Sequence, residues 1–482
     1  MVRTIRRLIS TRMVNLRRYG RRKRLIDPES FVSTSALSML QAVTALGTYL
    51  LVMRLLISNE GIKAVGLWSL TMGFVALFRI VDFSGAHALS RSVALRGSHK
   101  QGQATDIDTL SLFIACFYGI VIIVAFYPAR AALIESVDQS LASVAYQLIA
   151  LTAVALPLNI LGLAHSSALD GLGLAKVRSI INITGYFIFG IASLLLMKPF
   201  GLLGLAYAQF SQYVFVLVIS RFQISKTIPI RLAFPTSFNA SALGGLLSYS
   251  FRLQLSSLPG ALFIPLTRVG LNSAAGLEAL GLFDLAYRIT VSMRAFLQSA
   301  LNPLLPEFTR SAIQGRELKL FDRVDRLFSG VSALAFGGLM FGSPVISIIL
   351  TGEIDRDLVA LVATLSLAWG VATLFLPIQI LGRAKGYLRW SIAGQWLMLA
   401  ILIGIILISD ENDYKFLVFG ISLSILVGYL FSGIAEMFSF KLIRMKCLLI
   451  RICLYAAFLG FSYLACTLWL IDILPSVDEY IR

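Results

Sequence analysis

The chain is poor in charge, in paired cysteines and in nucleotide-binding signatures, and each shortage argues against a class of protein. Only 14% of its 482 residues are charged, where a soluble domain carries about a quarter. Its four cysteines, Cys116, Cys447, Cys453 and Cys466, lie in or beside apolar runs without a CxxC pair. They read as small apolar residues, not as a disulfide framework or a metal centre. No GxxxxGK[ST] stretch occurs, so the chain has no P-loop with which to use ATP. No polar loop is long enough for a catalytic domain. The expectation is therefore a non-enzyme with no catalytic residues, no cofactor and no metal.

What the chain has is hydrophobicity: 57% apolar residues and a mean hydropathy of +0.83. Thirteen apolar runs fall at roughly 31–57, 66–88, 108–127, 141–168, 179–197, 202–221, 252–272, 280–306, 327–350, 358–382, 390–409, 416–438 and 449–474. Each approaches or exceeds the ~20 residues that cross a bilayer core of about 30 Å. The fold class is an all-α polytopic membrane protein.

The net charge of +17 is unevenly spread. The first 24 residues hold ten Arg or Lys and no acid, and they lack the apolar core of a secretory signal. Ahead of a first span, such a tail is a cytoplasmic anchor that attracts anionic lipid, and no nucleic-acid partner is expected. Further along, connections alternate. Those after odd-numbered spans hold at most one base each, such as Lys63, Arg130 and Lys198, beside acids such as Glu135, Asp138 and Glu278. Those after even-numbered spans are basic, as in Arg91, Arg96 and Lys100, or Arg383, Lys385 and Arg389. Short basic loops stay in the cytoplasm, so the N-terminus is expected inside and the C-terminus outside.

The chain also repeats. "VGLWSL" from Val65 matches "LGLFDL" from Leu280, an offset of 215 residues. "ALPLNILGLA" from Ala155 matches "FLPIQILGRA" from Phe375, pairing Pro157 with Pro377 and Gly162 with Gly382. Six spans separate the copies, and an even number makes the repeat parallel, with its axis along the membrane normal. The expected organisation is a basic tail (1–30), an N-lobe (31–221), a cytoplasmic linker (222–250), a C-lobe (251–438) and a C-terminal helix with a short tail (439–482). Pro157, Pro377 and Pro303 are expected to kink their helices.

Arginines inside the spans carry the functional expectation. At offset 215 Arg79 pairs with Arg294, and at offset 214 Arg54 pairs with Arg268; Arg288 adds a further charge. A central arginine costs about 2.5–3.5 kcal/mol to insert, so it faces a hydrated cavity or a partner. Between two lobes, Arg79 and Arg294 would face each other. The planar guanidinium suits a phosphate or pyrophosphate. The competing expectation is internal pairing: Asp82 lies one turn from Arg79, and Asp284 one turn from Arg288. Asp82 is also a candidate for ion coupling. Arg54 and Arg268, nearer span ends, could instead snorkel to the interface. The lone His87 and His165 read as packed residues.

These residues resemble a known family. "VGLWSLTMGFVALFRIVDFSGAHALSRSVALRG", with Gly66, Trp68, Asp82, Gly85 and Arg91, looks like the second helix of the polysaccharide transporters of O-antigen flippase type. Its Asp-Phe-Ser-Gly spacing is one residue longer than the family's usual one. "YRITVSMRAFLQSALNPLLPEFTRSAIQG" is similar to the family's eighth helix, and "ALDGLGLAKVRSIINI" to its fourth-to-fifth turn. The superfamily is that of the multidrug/oligosaccharidyl-lipid/polysaccharide exporters, with two six-helix lobes. The resemblance implies a flippase that carries a polyprenyl-pyrophosphate-linked oligosaccharide to the outer leaflet of a bacterial inner membrane. Polysaccharide polymerases or glycosyltransferases would then be its partners. A lipid II-type flippase, a multidrug cation antiporter and a non-transporting scaffold for polysaccharide assembly are the alternatives.

Overall fold

The computed structural model describes residues 28–78, 86–97, 99–231, 235, 237–301, 308, 311, 317–385, 387–409 and 414–440. All regular structure among them is helical. The first seven helices are α1 (Pro28–Glu60), α2 (Ile62–Phe78), α3 (Ala86–Arg96), α4 (Lys100–Glu135), α5 (Ala142–Gly171), α6 (Ala175–Phe200) and α7 (Leu202–Ser225). The second seven are α8 (Ala240–Leu301), α9 (Glu317–Phe341), α10 (Ser343–Thr351), α11 (Arg356–Leu374), α12 (Leu376–Lys385), α13 (Arg389–Ile408) and α14 (Tyr414–Ser439). Nine described segments are long and apolar enough to cross a membrane. Hydrocarbon offers backbone groups no partner, and helices satisfy them internally. The chain is a multi-pass membrane protein, and wherever they are described its first twelve expected spans coincide with helix. The thirteenth, 449–474, lies outside the described residues.

Several expected spans are subdivided. α8 takes in two of them, broken at Gly276, where φ is +74°; that left-handed conformation costs glycine little. α9 and α10 meet at Gly342, and α11 gives way to α12 at Phe375, just before Pro377. At the start of α12 a proline's missing N–H removes no helical bond. α5, by contrast, runs unbroken through Pro157. Pro303 lies outside the described residues. Within the expected linker 222–250, α7 continues to Ser225 and α8 begins at Ala240.

The helices form two lobes. In the first, α1 packs on α6, α4 and α7 on α5, and α6 on α7. In the second, α11 contacts α8, α9 and α14, and α13 packs along α14. The apolar window of Arg356–Lys385 is 78% buried and that of Ala36–Glu60 only 22%, so α11 and α12 form the centre of their lobe while α1 lies at a rim.

α2 against α8 is the main joint between lobes, and it displays the internal repeat directly. A Cβ on Gly66 would fall 1.8 Å from the carbonyl oxygen of Leu277. A Cβ on Gly281 would fall 2.7 Å from the carbonyl oxygen of Ile62. Gly281 stands 215 residues after Gly66, and Leu277 stands 215 after Ile62. Each copy of the repeat therefore makes the same contact on the other, as across a two-fold axis. Only glycine allows backbones this close. One apolar core runs through this joint, including Leu67, Leu70, Leu277, Leu280 and Leu285. A second core, with Ile107, Leu156, Ile160, Ile224 and Leu246, is built mainly from the first lobe. The lobes are thus fused at the Gly66 end and part away from it.

Candidate functional site

The space between the lobes holds a cavity of about 610 Å³. Met72, Val75 and Ala76 of α2, Thr152, Leu156 and Asn159 of α5, and Gln209 and Tyr213 of α7 form one wall. The rest of the lining comes from α8 alone and forms a second wall: Gly260, Ala261, Ile264, Pro265 and Arg268 before the break, then Tyr287, Arg288, Val291 and Ser292 after it. The turn at Gly276 folds the two limbs of α8 back beside each other, which brings residues 16 to 20 apart in sequence together.

Three charges meet on that wall. Arg268 donates to Asp284 Oδ1 from Nη2 at 2.5 Å and from Nε at 3.2 Å. Arg288 Nε reaches Oδ2 of the same carboxylate at 3.3 Å, and the Tyr49 hydroxyl of α1 donates to Oδ2 at 3.3 Å. The Arg288 guanidinium lies over the Tyr49 ring, 4.3 Å from its centroid. Asp284 is 1% exposed and Arg268 7%, while Arg288 is 36% exposed. Gly73 gives Arg268 room, since a Cβ there would sit 3.2 Å from its Cδ. One carboxylate shared by two guanidiniums leaves one positive charge in excess. Arg288 is the more exposed of the two and carries that excess toward the cavity.

The remaining candidates disperse. Asp284 is not simply the helical partner of Arg288; its closer partner is Arg268, across the α8 break. Arg54 does not line the cavity: its Nη1 donates to the carbonyls of Ile348, at 3.3 Å, and Ile349. It thereby caps the C-terminal end of α10, where a cation is favourable. Arg54→Ala is expected to cost about 0.3–1 kcal/mol of stability and to leave ligand affinity of the cavity unchanged, as thermal unfolding and titration would show. Arg294 is also absent from the cavity wall. Its guanidinium lies 4.3 Å from the ring centroid of Tyr429 and 4.9 Å from that of Trp369, and Nη1 donates to the Tyr429 hydroxyl at 2.8 Å. Its Nε is buried without a partner among the described residues. Trp369 also packs edge-on against Tyr287, which lines the cavity. Arg79 and Asp82 lie outside the described residues.

Sequence reasoning missed two features. One is the neutral polar wall of Asn159, Gln209 and Tyr213, which carries no charge to draw the eye. The other is a buried cluster in the first lobe, where Arg221 reaches Asp108 at 3.2 Å and His165 Nε2 at 3.2 Å. His165 Nδ1 donates to Leu161 O at 2.7 Å, which leaves Nε2 to accept from Arg221. Arg221 also donates to the carbonyl of Arg231 at 2.6 Å, fastening the chain after α7 to this lobe. His165 is thus packed, as its sequence context suggests.

No protein-family model matches the sequence, and neither does any curated protein. Solved structures do match in fold. An inward-facing multidrug resistance MATE family transporter of the MOP superfamily superposes with a TM-score of 0.70 at 15% identity, covering 83% of this chain and 98% of that one. An outward-facing MATE transporter of the same superfamily gives 0.62 at 16% identity, covering 89% and 97%. A MOP superfamily transporter from Pyrococcus furiosus, whose binding pocket is described as reversed in polarity, gives 0.61 at 14% identity, covering 86% and 96%. The chain has the two-lobed fold of these transporters.

Proposed function

We propose that the chain is a membrane flippase for a polyprenyl-pyrophosphate-linked oligosaccharide, moving the headgroup from the cytoplasmic to the outer leaflet of a bacterial inner membrane. The observation that carries this reading is the excess cation on the cavity wall: Arg268 and Arg288 share a single carboxylate, Asp284. A bare diphosphate in hydrocarbon is prohibitively costly. A hydrated cavity with a guanidinium fork lowers that cost and grips the phosphate oxygens in two-point fashion. A volume of about 610 Å³ lies in the usual range for one medium-sized ligand, so the cavity takes the diphosphate and its nearest sugars, with the lipid tail left outside.

Topology supports the direction. The fused Gly66 end is the end that the alternation of basic loops assigns to the outside. The cavity would then face the cytoplasm, where the loaded lipid is made. Outward movement of a negative charge follows an inside-negative potential, which contributes about 2.3 kcal/mol per charge per 100 mV. The basic N-terminal tail would hold the same cytoplasmic leaflet through its anionic lipids.

A multidrug exporter of organic cations is the contrasting reading within this fold, and the charge balance of the described cavity lining speaks against it. The reversed pocket polarity described for the Pyrococcus furiosus transporter indicates that the fold accommodates either sign. Titration of the purified protein with farnesyl diphosphate and with tetraphenylphosphonium decides between them. The diphosphate is expected to bind, more weakly as salt rises, and the cation is expected not to. Binding of the cation alone would overturn the proposal.

A further inference from the structure

Asn159 and Gln209 line the same cavity as Arg268 and Arg288, but from the first lobe, and neither amide has a hydrogen-bond partner among the described residues. Their neighbour Thr152 is already committed, donating to Leu148 O at 2.8 Å. Each primary amide offers two donors and one acceptor. Leaving such groups unmet inside a membrane protein is costly, so they face water or a ligand. No described residue on this wall carries a charge, whereas the α8 wall carries a net positive one. The cavity is thus bipolar: cationic on one lobe, neutral and hydrogen-bonding on the other.

We infer that Asn159 and Gln209 form a subsite for an uncharged, hydroxyl-bearing sugar joined directly to the phosphate that the α8 arginines hold; this rests on the flippase reading above. Amides pair with hydroxyls in both directions, as donor and as acceptor. They do not compensate a second negative charge, so the subsite selects a neutral hexose or hexosamine over a uronic acid. The Tyr213 ring, on the same face of α7 as Gln209 one turn away, adds a flat surface beside the amides. A ligand held this way touches α5 and α7 of one lobe and α8 of the other. It therefore bridges the two bodies whose relative movement would carry it across, and a lipid diphosphate without its sugar would engage one body only.

The test compares three probes on the full-length protein in detergent: farnesyl diphosphate, and farnesyl diphosphate bearing one glucose or one N-acetylglucosamine. At least one sugar-bearing probe is expected to bind about tenfold more tightly than the bare diphosphate, the worth of one or two net hydrogen bonds. In the Asn159→Ala/Gln209→Ala variant that ratio is expected to fall to about one. Equal affinity of wild-type protein for all three probes would overturn the sugar subsite and leave the flippase reading standing. Failure to bind any diphosphate would overturn both. A ratio that survives the double substitution would show that other groups read the sugar, and the assignment to these amides would fall. The wild-type comparison needs no variant, so a misfolded double mutant cannot shield the idea.

Discussion

Arg288→Ala is expected to weaken farnesyl diphosphate binding by about tenfold or more while the protein still inserts and unfolds at nearly its normal temperature. The two arginines of the cavity wall share a carboxylate but not a role. Arg268 is buried and makes both close contacts to Asp284. Removing it takes the shortest contact from a buried carboxylate and leaves it only Arg288 and Tyr49, each at 3.3 Å, a loss approaching the ~3–5 kcal/mol of a broken buried pair. Arg268→Ala is therefore expected to fail chiefly by destabilising the protein. Arg288 is over a third exposed and lies 3.3 Å from the same group; such a partly solvated pair contributes little to stability, about 0–1 kcal/mol. Its loss removes the excess charge and leaves the Arg268–Asp284 pair in place. The combination Arg268→Ala/Asp284→Asn tests the division. It is expected to recover much of the melting temperature and to keep most of the diphosphate affinity, because it abolishes the under-paired carboxylate while Arg288 still carries one excess charge. Should Arg288→Ala bind diphosphate like wild type, the excess charge would not be the grip, and the functional proposal would lose its main support.

The sequence makes the two-lobed architecture legible because glycine positions are hard constraints. "VGLWSL" and "LGLFDL" align Gly66 with Gly281, and those are the positions where the two copies touch backbone to backbone. Membrane spans are equally readable, since an apolar run of about 20 residues crosses hydrocarbon as a helix. The site is less legible, and the reason is physical. A repeat predicts that equivalent residues play equivalent parts, but function resides where the copies differ. At offset 215 the counterpart of Asp284 is Ser69, and that of Arg288 is Gly73. With no carboxylate at position 69, Arg54 has no counterpart of the pair that Arg268 makes, and it caps the carbonyls of α10 instead. The link between Arg268 and Asp284 depends on the break at Gly276, a chain reversal that apolar periodicity does not reveal. Arg294 illustrates a different limit. A cation without a nearby acid suggests a ligand contact, yet aromatic faces can shelter it, and Trp369 and Tyr429 come from helices distant in sequence. Amides such as Asn159 and Gln209 carry no charge and vanish into an apolar composition.

Gly66→Leu is expected to force the lobes apart at their fused end and to abolish transport without preventing insertion. The atoms in the way are the carbonyl oxygen, carbonyl carbon and Cα of Leu277, at 1.8, 2.6 and 2.9 Å from a Cβ at position 66. No rotamer change moves backbone, so the clash must be relieved by separation of α2 from α8. Packed interfaces rest in discrete arrangements, and a bias of about 5.5 kcal/mol already converts a population of 99:1 into 1:99. The variant should therefore occupy the opposite state, closed where the wild type is open. Leu277 is 8% exposed in the closed joint, so Leu277→Cys reports the change in a background whose four native cysteines are replaced. That thiol is expected to resist a membrane-impermeant maleimide while Gly66 is intact and to react rapidly once Gly66→Leu is added. The pseudo-two-fold contact makes a second demand: Gly281→Leu, which meets Ile62 in the equivalent way, should give the same labelling. Gly47→Leu supplies the contrast, since nothing lies within 4 Å of a Cβ there and the joint should stay closed. Protection of the position-277 thiol in both the Gly66→Leu and Gly281→Leu variants, with transport intact, would mean that the repeat's glycines do not gate the lobes.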